Sequence, residues 1–236
     1  YGIGFAIAKA MAGAGATIVF NDIKQELVDK GLAAYKEEGI TAHGYVCDVT
    51  DEDAVNVFVK KVEEEVGVID ILVNNAGIIK RIPMIEMAAK DFRQVIDVDL
   101  NHVWFMCQKA VQVMKDKEGS TGKIINIASM NAFFGGTTVP AYTAAKGAVA
   151  MLTKSLASDC ADHNICCNAI APGYMDTEMC ANMTQERKDE CTKRIPAARW
   201  GLPDDLKGPV LFLASDASDY LNGAVIPVDG GFLVKS

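Results

Sequence analysis

The sequence has 236 residues, of which 50% are hydrophobic and 23% are charged, a composition that excludes a disordered chain, collagen and a coiled coil. Its 23 basic and 31 acidic side chains give a formal net charge of −8 at pH 7. Because an acidic surface repels phosphate backbones and anionic lipid head groups, we expect neither nucleic acid nor a membrane as a partner.

Seven cysteines occur, an odd number without the paired spacing of a metal site. They are best interpreted as small buried hydrophobic residues of a protein from a reducing, cytoplasmic compartment. No charged-then-apolar leader opens the sequence, and no apolar run reaches the roughly 18 residues that a membrane span needs. We therefore expect no metal, no export signal and no membrane anchor.

Short apolar runs rich in β-branched residues alternate with longer helical patterns along the chain. The predicted strands are residues 17–20, 42–46, 69–73, 123–127, 165–170 and 224–228, and the predicted helices are residues 5–14, 24–38, 51–66, 88–116, 142–162 and 203–215. Strands that are apolar on both faces and separated by helices predict an α/β fold with a doubly wound parallel sheet in three αβα layers. No linker divides the chain, so residues 1–236 are expected to form a single domain.

The segment of about residues 173–200 departs from this alternation. It is long and polar, with several Met and Cys residues, and it lies between the last two predicted strands. Loops of this length inside a compact domain are usually functional. We predict a lid over the substrate.

The first residues resemble the end of a glycine-rich phosphate loop. Gly2, Ile3 and Gly4 lead directly into a predicted helix, without the strand that normally precedes such a loop. In a doubly wound sheet that strand is central. We therefore expect the natural chain to carry about a dozen more residues upstream, by the usual lengths of such strands and loops.

Asp22 follows the first predicted strand, 18 residues after Gly4. An acidic residue near this offset accepts hydrogen bonds from the adenosine ribose of a dinucleotide. Its carboxylate would repel a 2′-phosphate and so favours NAD over NADP, although Lys24 keeps NADP open. The alternative is that Asp22 is only the N-cap of the following helix.

Tyr142 and Lys146 are four residues apart and so share one face of a predicted helix. An ammonium group beside a phenol stabilises the phenolate, which lets tyrosine exchange protons near neutral pH. Ser129 follows a predicted strand 13 residues earlier. Together the three side chains predict an acid/base site, although a tyrosine and a lysine at this spacing are by themselves common on solvated helices.

At this point the sequence resembles the short-chain dehydrogenase/reductase family, over essentially all 236 residues. The matching motifs, in chain order, are Gly2-Ile3-Gly4, Asp48-Val49, Asn74-Asn75-Ala76-Gly77, Ser129 with Tyr142 and Lys146, Pro172-Gly173 with Thr177, and Val228-Asp229-Gly230-Gly231. The resemblance implies a Rossmann-type fold and a nicotinamide cofactor.

Particular roles follow from the resemblance. Tyr142 would be the acid/base, Ser129 would hydrogen-bond the substrate oxygen, and Lys146 would bind the nicotinamide ribose. The implied cofactor-binding residues are Gly2, Ile3, Gly4, Asp22, Asp48, Val49, Asn75, Ala76, Gly77, Tyr142, Lys146, Pro172, Gly173 and Thr177. For Asn75 and Gly77, a turn that stabilises the sheet is an alternative.

One position departs from the family pattern. The fourth catalytic position, usually an asparagine that holds a carbonyl and a relay water, falls here on Asp99. A carboxylate accepts hydrogen bonds but donates none unless it is protonated. Asn101, two positions later, is expected to face elsewhere on the helix. Asp99 therefore either serves the relay as a carboxylate or weakens it.

Segments such as FNDI and FRQVIDVDLN are similar to the gluconate 5-dehydrogenase branch of the family, and the C-terminal third is equally similar to 2-deoxy-D-gluconate 3-dehydrogenases. The resemblance implies hydride transfer to or from a secondary alcohol of a sugar acid. An anionic substrate needs a cation, and Lys80 and Arg81 follow a strand at the edge where such folds bind ligands. They are alternatively solvated loop charges, and Arg199 is a weaker candidate that would anchor the lid.

Two other functions stay open at this point, a 3-oxoacyl carrier-protein reductase and a non-catalytic dinucleotide-binding protein. An acidic carrier would need a basic docking surface, which a net charge of −8 does not favour. Residues 88–116 carry Val95, Val98, Val103, Trp104, Phe105 and Met106, more apolar surface than one core contact uses. Because members of the family pair this helix, we predict a homotetramer or dimer.

Overall fold

A computed structural model describes residues 2–117, 121–181 and 183–235. The α-helices are Gly2–Gly13 (α1), Gln25–Glu37 (α2), Glu52–Glu65 (α3), Ala89–Ile96 (α4), His102–Lys115 (α5), Pro140–Asp159 (α6), Gln185–Arg194 (α7) and Lys207–Ala214 (α8). The strands are Ile18–Asp22 (β1), Ala42–Val46 (β2), Ile71–Asn74 (β3), Gly122–Ile127 (β4), Ile165–Pro172 (β5) and Val225–Val228 (β6). A π-helical turn at Asp97–Asn101 joins α4 to α5.

All the strand ladders are parallel. β1 pairs with β2, and the other four strands form a sheet in the order β3-β4-β5-β6. Parallel neighbours need a crossover between them, and the helices supply these crossovers. The predicted α/β fold with parallel strands is therefore confirmed. Within the described residues, no strand of the β1-β2 sheet pairs with a strand of the four-stranded sheet.

The four-stranded sheet lies between two layers of helices. All six residues of β4 are buried, as are all but one of β5, which explains why these strands are apolar on both faces. Ile124 packs in a core with α3, α5 and α6, whereas its neighbour Ile125 packs in a second core with α1 and α8. Successive strand residues point to opposite faces, so the alternation produces the three predicted layers.

A buried polar network fixes α6 against the sheet. The Asn74 amide donates to Asn126 Oδ1 at 2.8 Å, and the Asn126 amide donates to Thr153 Oγ at 2.9 Å. Thr153 in turn donates to the Val149 carbonyl at 2.8 Å. Because an unpaired polar group in a core is costly, this chain of bonds specifies one orientation of α6 relative to β3 and β4.

The carboxyl ends of the strands lie at one edge of their sheets, where folds of this kind bind ligands. Four of the sequence motifs lie at such an end. Asp22 closes β1, Asn75 follows β3, Ser129 follows β4 by two residues, and Gly173 follows β5 directly. The fold therefore brings residues that are far apart in the sequence to one edge.

One prediction about the helices was too simple. Residues 88–116 form α4, the π turn and α5 instead of one uniform α-helix. The apolar side chains of Val95, Val103 and Met106 are core residues, so the part of this helix left exposed is smaller than expected. Within the described ranges, no helix has both the length and the apolar character that crossing a bilayer needs.

Candidate active site

Lys146 is a buried and hydrogen-bonded side chain of the site. It is 4% exposed, and its Nζ donates a hydrogen bond to the carbonyl of Ile127, the last residue of β4, at 3.0 Å. Tyr142 lies one turn earlier on α6, and the Lys146 Nζ is 5.5 Å from the centre of its ring. Pro140 begins this helix, in the first turn where proline is favoured. The structure thus brings an ammonium group beside the phenol.

Ser129 lies at the same edge of the sheet. It is 6% exposed, and its Oγ accepts a hydrogen bond from the Asn131 amide at 3.2 Å. This bond caps a 3-10 turn, Met130–Ala132, that packs against α6. The hydroxyl also donates a long hydrogen bond to Asn131 Oδ1 at 3.5 Å, so a substrate oxygen that approaches Ser129 would replace Asn131 as the acceptor.

Asp99 lies in the middle of the π turn and is fully buried. Its Oδ1 accepts a hydrogen bond from the Ile78 amide at 2.8 Å, and its Oδ2 lies 3.2 Å from Lys146 Nζ. π turns inserted in α-helices are frequent at functional sites because the extra residue redirects the side chains around it. Asn101 bonds to Asp97 on the same turn at 2.8 Å, so it faces away from Lys146 as expected.

The Asp99 carboxyl has competing electrostatic surroundings. Burial raises its pKa, whereas the Lys146 ammonium and the Ile78 amide lower it. Gly77 is close to both charges, since a Cβ at this position would lie 2.9 Å from Asp99 Oδ2 and 3.6 Å from Lys146 Nζ. A glycine is therefore required for the ion pair to form in this geometry. The need for space beside the ion pair accounts for a glycine at position 77 without invoking a turn.

The start of α1 provides a cradle for phosphate groups. The helix begins at Gly2, whose φ is +70°, and the first amides of a helix have no partner within it. Gly4 lies close to the side chain of Asn75, since a Cβ at Gly4 would be 2.8 Å from the side-chain nitrogen Nδ2 of Asn75. Ile3 is partly buried against the core, which anchors the cradle. This loop and helix N-terminus fit the pyrophosphate of a dinucleotide.

Asp22 ends β1, where a ribose would follow the pyrophosphate. Its Oδ1 accepts a hydrogen bond from the backbone amide of Ile23 at 2.7 Å. The other carboxylate oxygen, Oδ2, takes no part in this bond. The N-cap of α2 is Lys24, and α2 begins at Gln25. The alternative interpretation of Asp22 as the N-cap of this helix is therefore wrong, because the helix begins two residues later than that role needs.

Asp48 and Val49 follow β2. Asp48 Oδ1 accepts hydrogen bonds from the amide and the hydroxyl of Thr50, at 2.9 and 2.7 Å. Val49 packs on the core layer that contains α3. These contacts fix the loop after β2 as a short ordered turn, and Asp48 lines a surface pocket beside it.

That pocket also contains side chains that the sequence analysis did not single out. Lys90, Arg93 and Gln94 of α4 line it opposite Asp48 and Ile23. Their spacing of three and four residues places them on one helical face. This spacing is the sequence signal from which they could have been found. The sequence does not show which face of α4 turns toward the ends of β1 and β2, so the pocket could not be predicted.

Pro172, the last residue of β5, and Gly173, which follows it, are both paired with the end of β6. Pro172 pairs with Val228, and the Gly173 amide donates to the Val228 carbonyl at 3.0 Å. A Cβ at Gly173 would lie 2.7 Å from the Asp229 Cα, so only glycine fits here. Thr177 then begins a 3-10 turn at Glu178–Cys180. Ala76, by contrast, is exposed in the loop after β3.

The two candidate cations after β3 differ in their contacts. Lys80 Nζ lies 2.6 Å from Asp91 Oδ1, so it is tied to α4, and this contact lowers the pKa of Asp91. Arg81 is exposed, and none of the described carboxylates forms an ion pair with it. Burial raises the pKa of Cys180, but the charge of Arg81 opposes this effect. Arg81 therefore lies close to the segment of residues 173–200.

Arg199 is held at the end of the same segment. Its two terminal nitrogens bond to the Asp205 carboxylate at 2.7 and 3.0 Å. This paired geometry occupies the guanidinium in the way that a bound carboxylate would. Arg199 therefore anchors residues 173–200 to the 3-10 turn Pro203–Leu206 that precedes α8, and Arg81 is the better candidate for a substrate.

Comparison with known proteins agrees with this geometry. A family model described as Enoyl-(Acyl carrier protein) reductase matches residues 1–233. The chain is 46% identical to a 2-dehydro-3-deoxy-D-gluconate 5-dehydrogenase from Formosa agariphila, over 99% of this chain and 89% of that protein.

Two solved structures are also similar. The 2-keto-3-deoxy-D-gluconate dehydrogenase of Streptococcus agalactiae is 56% identical, with a TM-score of 0.84 over 99% of this chain and 90% of that chain. A gluconate 5-dehydrogenase from Burkholderia cenocepacia, solved with NADP and tartrate, is 39% identical, with a TM-score of 0.95 over 100% and 92% of the two chains. The chain belongs to the short-chain dehydrogenase/reductase family and is an NAD(P)-dependent oxidoreductase that acts on CH–OH groups.

Proposed function

We propose that the protein interconverts a secondary alcohol and a ketone of a six-carbon sugar acid, at the C5 position for which its relatives are named. The observation that carries this proposal is the fixed ammonium of Lys146 beside Tyr142 and Ser129, next to the cradle at the start of α1. This arrangement fits proton exchange at a hydroxyl that is adjacent to a bound dinucleotide.

When bound, the nicotinamide ring accepts or supplies the hydride. The Tyr142 oxygen takes the proton of the substrate hydroxyl during oxidation and returns it during reduction. The Ser129 hydroxyl donates a hydrogen bond to the substrate oxygen, where negative charge develops. The Lys146 ammonium stabilises the phenolate of Tyr142, and its bond to the Ile127 carbonyl keeps it in place.

Asp99 is a positioning residue in this scheme, since it contacts Lys146 and the Ile78 amide. Its negative charge compensates the buried ammonium, which would otherwise lack a counter-charge. The same charge also reduces the effect of Lys146 on the phenol. Asp99 therefore sets the position of Lys146 and moderates its influence on Tyr142.

The substrate class is supported by charge and by similarity. A sugar acid carries a carboxylate, and the exposed Arg81 guanidinium, in the loop after β3, provides a cation for it. The relatives and solved structures above act on gluconate or its 2-keto-3-deoxy derivative. A 2-deoxy-D-gluconate 3-dehydrogenase is the second candidate, because one solved relative that is 40% identical carries that description and binds NADP.

We propose that residues 173–200 act as a lid. The segment is held at its two ends, by the ring contact of Tyr174 with Trp200 at 5.1 Å and by the Arg199–Asp205 pair. Between these anchors lies the polar helix α7. The Lys188 ammonium of α7 lies 3.9 Å from Asp176 Oδ1 and over the Trp200 ring, so it ties α7 to both ends of the segment.

We propose that the protein is a homotetramer of the reducing cytoplasm. Trp104 of α5 is 44% exposed, and Val234 near the C-terminus is 85% exposed. Exposed apolar side chains of this size on two separate elements fit subunit contacts. The seven cysteines are all free, and five of them are buried, which fits a reducing compartment.

The activity is tested by an NADH absorbance assay with gluconate, its 2-keto-3-deoxy derivative, 2-deoxygluconate and an acyl substrate. We expect turnover of a C5 sugar-acid substrate, and Tyr142→Phe should lower kcat about 10²- to 10⁴-fold through loss of the proton carrier. Thr143→Val, a neighbour on the same helix, is the control. Turnover of the acyl substrate alone would contradict the proposal, and no turnover at all would favour a non-catalytic protein.

Substitutions of Asp99 separate its charge from its hydrogen bond. Asp99→Asn keeps an acceptor for the Ile78 amide and should retain activity, but without the counter-charge Lys146 stabilises the phenolate more strongly. The oxidation rate should therefore reach its maximum at a lower pH. Asp99→Ala removes both interactions and should lower kcat with little change in KM. Unchanged kcat and pH profiles in both variants would limit Asp99 to a role in stability.

Arg81→Ala should raise KM for a sugar acid much more than for an uncharged polyol. A charge-assisted hydrogen bond contributes about 1.5–3 kcal/mol, so the expected loss in kcat/KM is roughly 10- to 150-fold. Lys60→Ala is the control for the loss of a surface cation, because this side chain is 76% exposed on α3 and lies 3.7 Å from Glu64 of the same helix. Equal effects of Arg81→Ala on both substrates would show that Arg81 is a solvated loop charge.

The protein should prefer NAD(H) to NADP(H), because the Asp22 carboxylate at the end of β1 would repel a 2′-phosphate. The measurement compares kcat/KM for the two cofactors in the natural protein and in Asp22→Ser. We expect the variant to lose most of the preference. A clear preference of the natural protein for NADP(H) would mean that Lys24, Lys90 or Arg93 outweighs the carboxylate.

Light scattering at micromolar concentration should give the mass of a tetramer. Trp104→Glu should convert it to a smaller species, because a charge at a subunit contact is costly to bury. Phe92→Glu, at another exposed apolar position on the preceding helix, shows whether the effect extends along this face. A monomer in the natural protein would contradict the proposal.

A further inference from the structure

Thr138 has a backbone conformation that its own side chain disfavours. Its φ is +65°, which lies in the left-handed region. In the described part of the chain, three residues other than glycine adopt a positive φ, Thr138, Asn164 and Ala198, and Thr138 is the one that is branched at Cβ. Asparagine tolerates this region, whereas a β-branched residue in it is a genuine outlier. Strain of this kind persists where the surrounding structure imposes it, and it clusters at functional sites.

The residues on both sides of Thr138 hold it in this conformation. Val139, the N-cap of α6, is 4% exposed. The Gly136 amide donates to Thr143 Oγ1 near the start of α6 at 3.2 Å, and a Cβ at Gly136 would lie 2.6 Å from a methyl carbon of Val139. The Thr138 hydroxyl donates to the Thr137 carbonyl at 2.6 Å. The loop is therefore fixed before and after Thr138.

The carbonyl of Thr138 contacts a distant part of the chain. It accepts a hydrogen bond from the Ile82 amide at 2.8 Å. Ile82 lies in the segment of residues 75–88, which joins β3 to α4 and forms neither helix nor strand. The bond connects this segment to the loop between Ser129 and Tyr142. Relaxation of Thr138 to a negative φ would reorient its carbonyl and break this connection.

Arg81 lies between two anchored residues of the same segment. Lys80, which precedes it, is tied to Asp91 of α4 at 2.6 Å, and Ile82, which follows it, is tied to Thr138. The Arg81 side chain is itself exposed. Its position before substrate binds is therefore set by the backbone on its two sides.

We propose that Thr138 is a positioning residue for Arg81, and that its left-handed conformation thereby favours acidic substrates. The conformation directs the Thr138 carbonyl to Ile82, and this bond holds the adjacent guanidinium where a substrate carboxylate binds. The apparent affinity for a ligand falls with the fraction of molecules in the binding arrangement, so a cation held in place binds more tightly. This inference rests on the proposed function, from which it takes the role of Arg81.

Two substitutions separate the conformation of Thr138 from its hydroxyl. Thr138→Val and Thr138→Gly both remove the hydroxyl, but glycine alone of the two adopts a positive φ without steric cost. We expect Thr138→Val to raise KM for a sugar acid about 3- to 10-fold, the value of one ordinary hydrogen bond, with kcat within about twofold. Thr138→Gly should keep KM close to that of the natural protein. KM for an uncharged polyol should be unchanged in both variants.

Thr137→Val is the matched control, because it makes the same change at the exposed residue before Thr138 and leaves the carbonyl that the Thr138 hydroxyl uses. Arg81→Ala combined with Thr138→Val should have the KM of Arg81→Ala alone, since Thr138 then has no cation to position. Equal increases in KM in Thr138→Gly and Thr138→Val would indicate a direct role of the hydroxyl and overturn the proposal. An unchanged KM in Thr138→Val would also overturn it.

Hydrogen exchange in the free protein provides a readout that does not need activity. The measurement follows the peptic fragment that contains Ile82 by mass spectrometry. We expect slow exchange of the Ile82 amide in the natural protein, Thr138→Gly and Thr137→Val, and faster exchange in Thr138→Val. Equal protection in all four proteins would overturn the inference whatever the enzyme oxidises. Faster exchange in Thr138→Val, with no sugar-acid turnover by the natural protein, would support the Thr138–Ile82 connection and reject the proposed function.

Discussion

The buried ammonium of Lys146 is the interaction on which the rest of the site depends. A charge in a protein interior is tolerated only when it is paired and hydrogen-bonded. Here the Ile127 carbonyl accepts one hydrogen bond, and the Asp99 carboxylate provides the counter-charge at 3.2 Å. The first partner comes from the end of β4 and the second from the π turn. Gly77 leaves the space in which both charges meet.

The fold makes this arrangement possible by placing separate parts of the chain at one edge. β4 is buried on both faces, so its last carbonyl has a fixed position, and Asn126 on the same strand ties α6 to it through Thr153. This network orients the helix that carries Tyr142 and Lys146. The cofactor cradle at the start of α1 lies against the loop after β3, because Gly4 permits a close approach to Asn75. The Asn126–Thr153 hydrogen bond in the core thus positions the catalytic helix, and the contact between Gly4 and Asn75 positions the cofactor cradle.

Much of this arrangement follows from local patterns in the sequence. The apolar runs predicted the strands, since residues buried on both faces must be apolar, and the spacing of Tyr142 and Lys146 predicted their shared helical face. The π turn was not predictable, because one inserted residue changes the helical phase without changing the composition. The ion pair of Lys80 could not be predicted either, since its partner Asp91 lies on another element.

The central claim is that Asp99 acts on the reaction only through Lys146. A double-mutant cycle on kcat tests it directly, with Asp99→Ala, Lys146→Met and the combined variant in the sugar-acid reaction. If the claim is correct, the combined variant is as slow as Lys146→Met alone, because Asp99 has nothing left to position. Effects that multiply in the combined variant would show that the two residues act independently and would contradict the account.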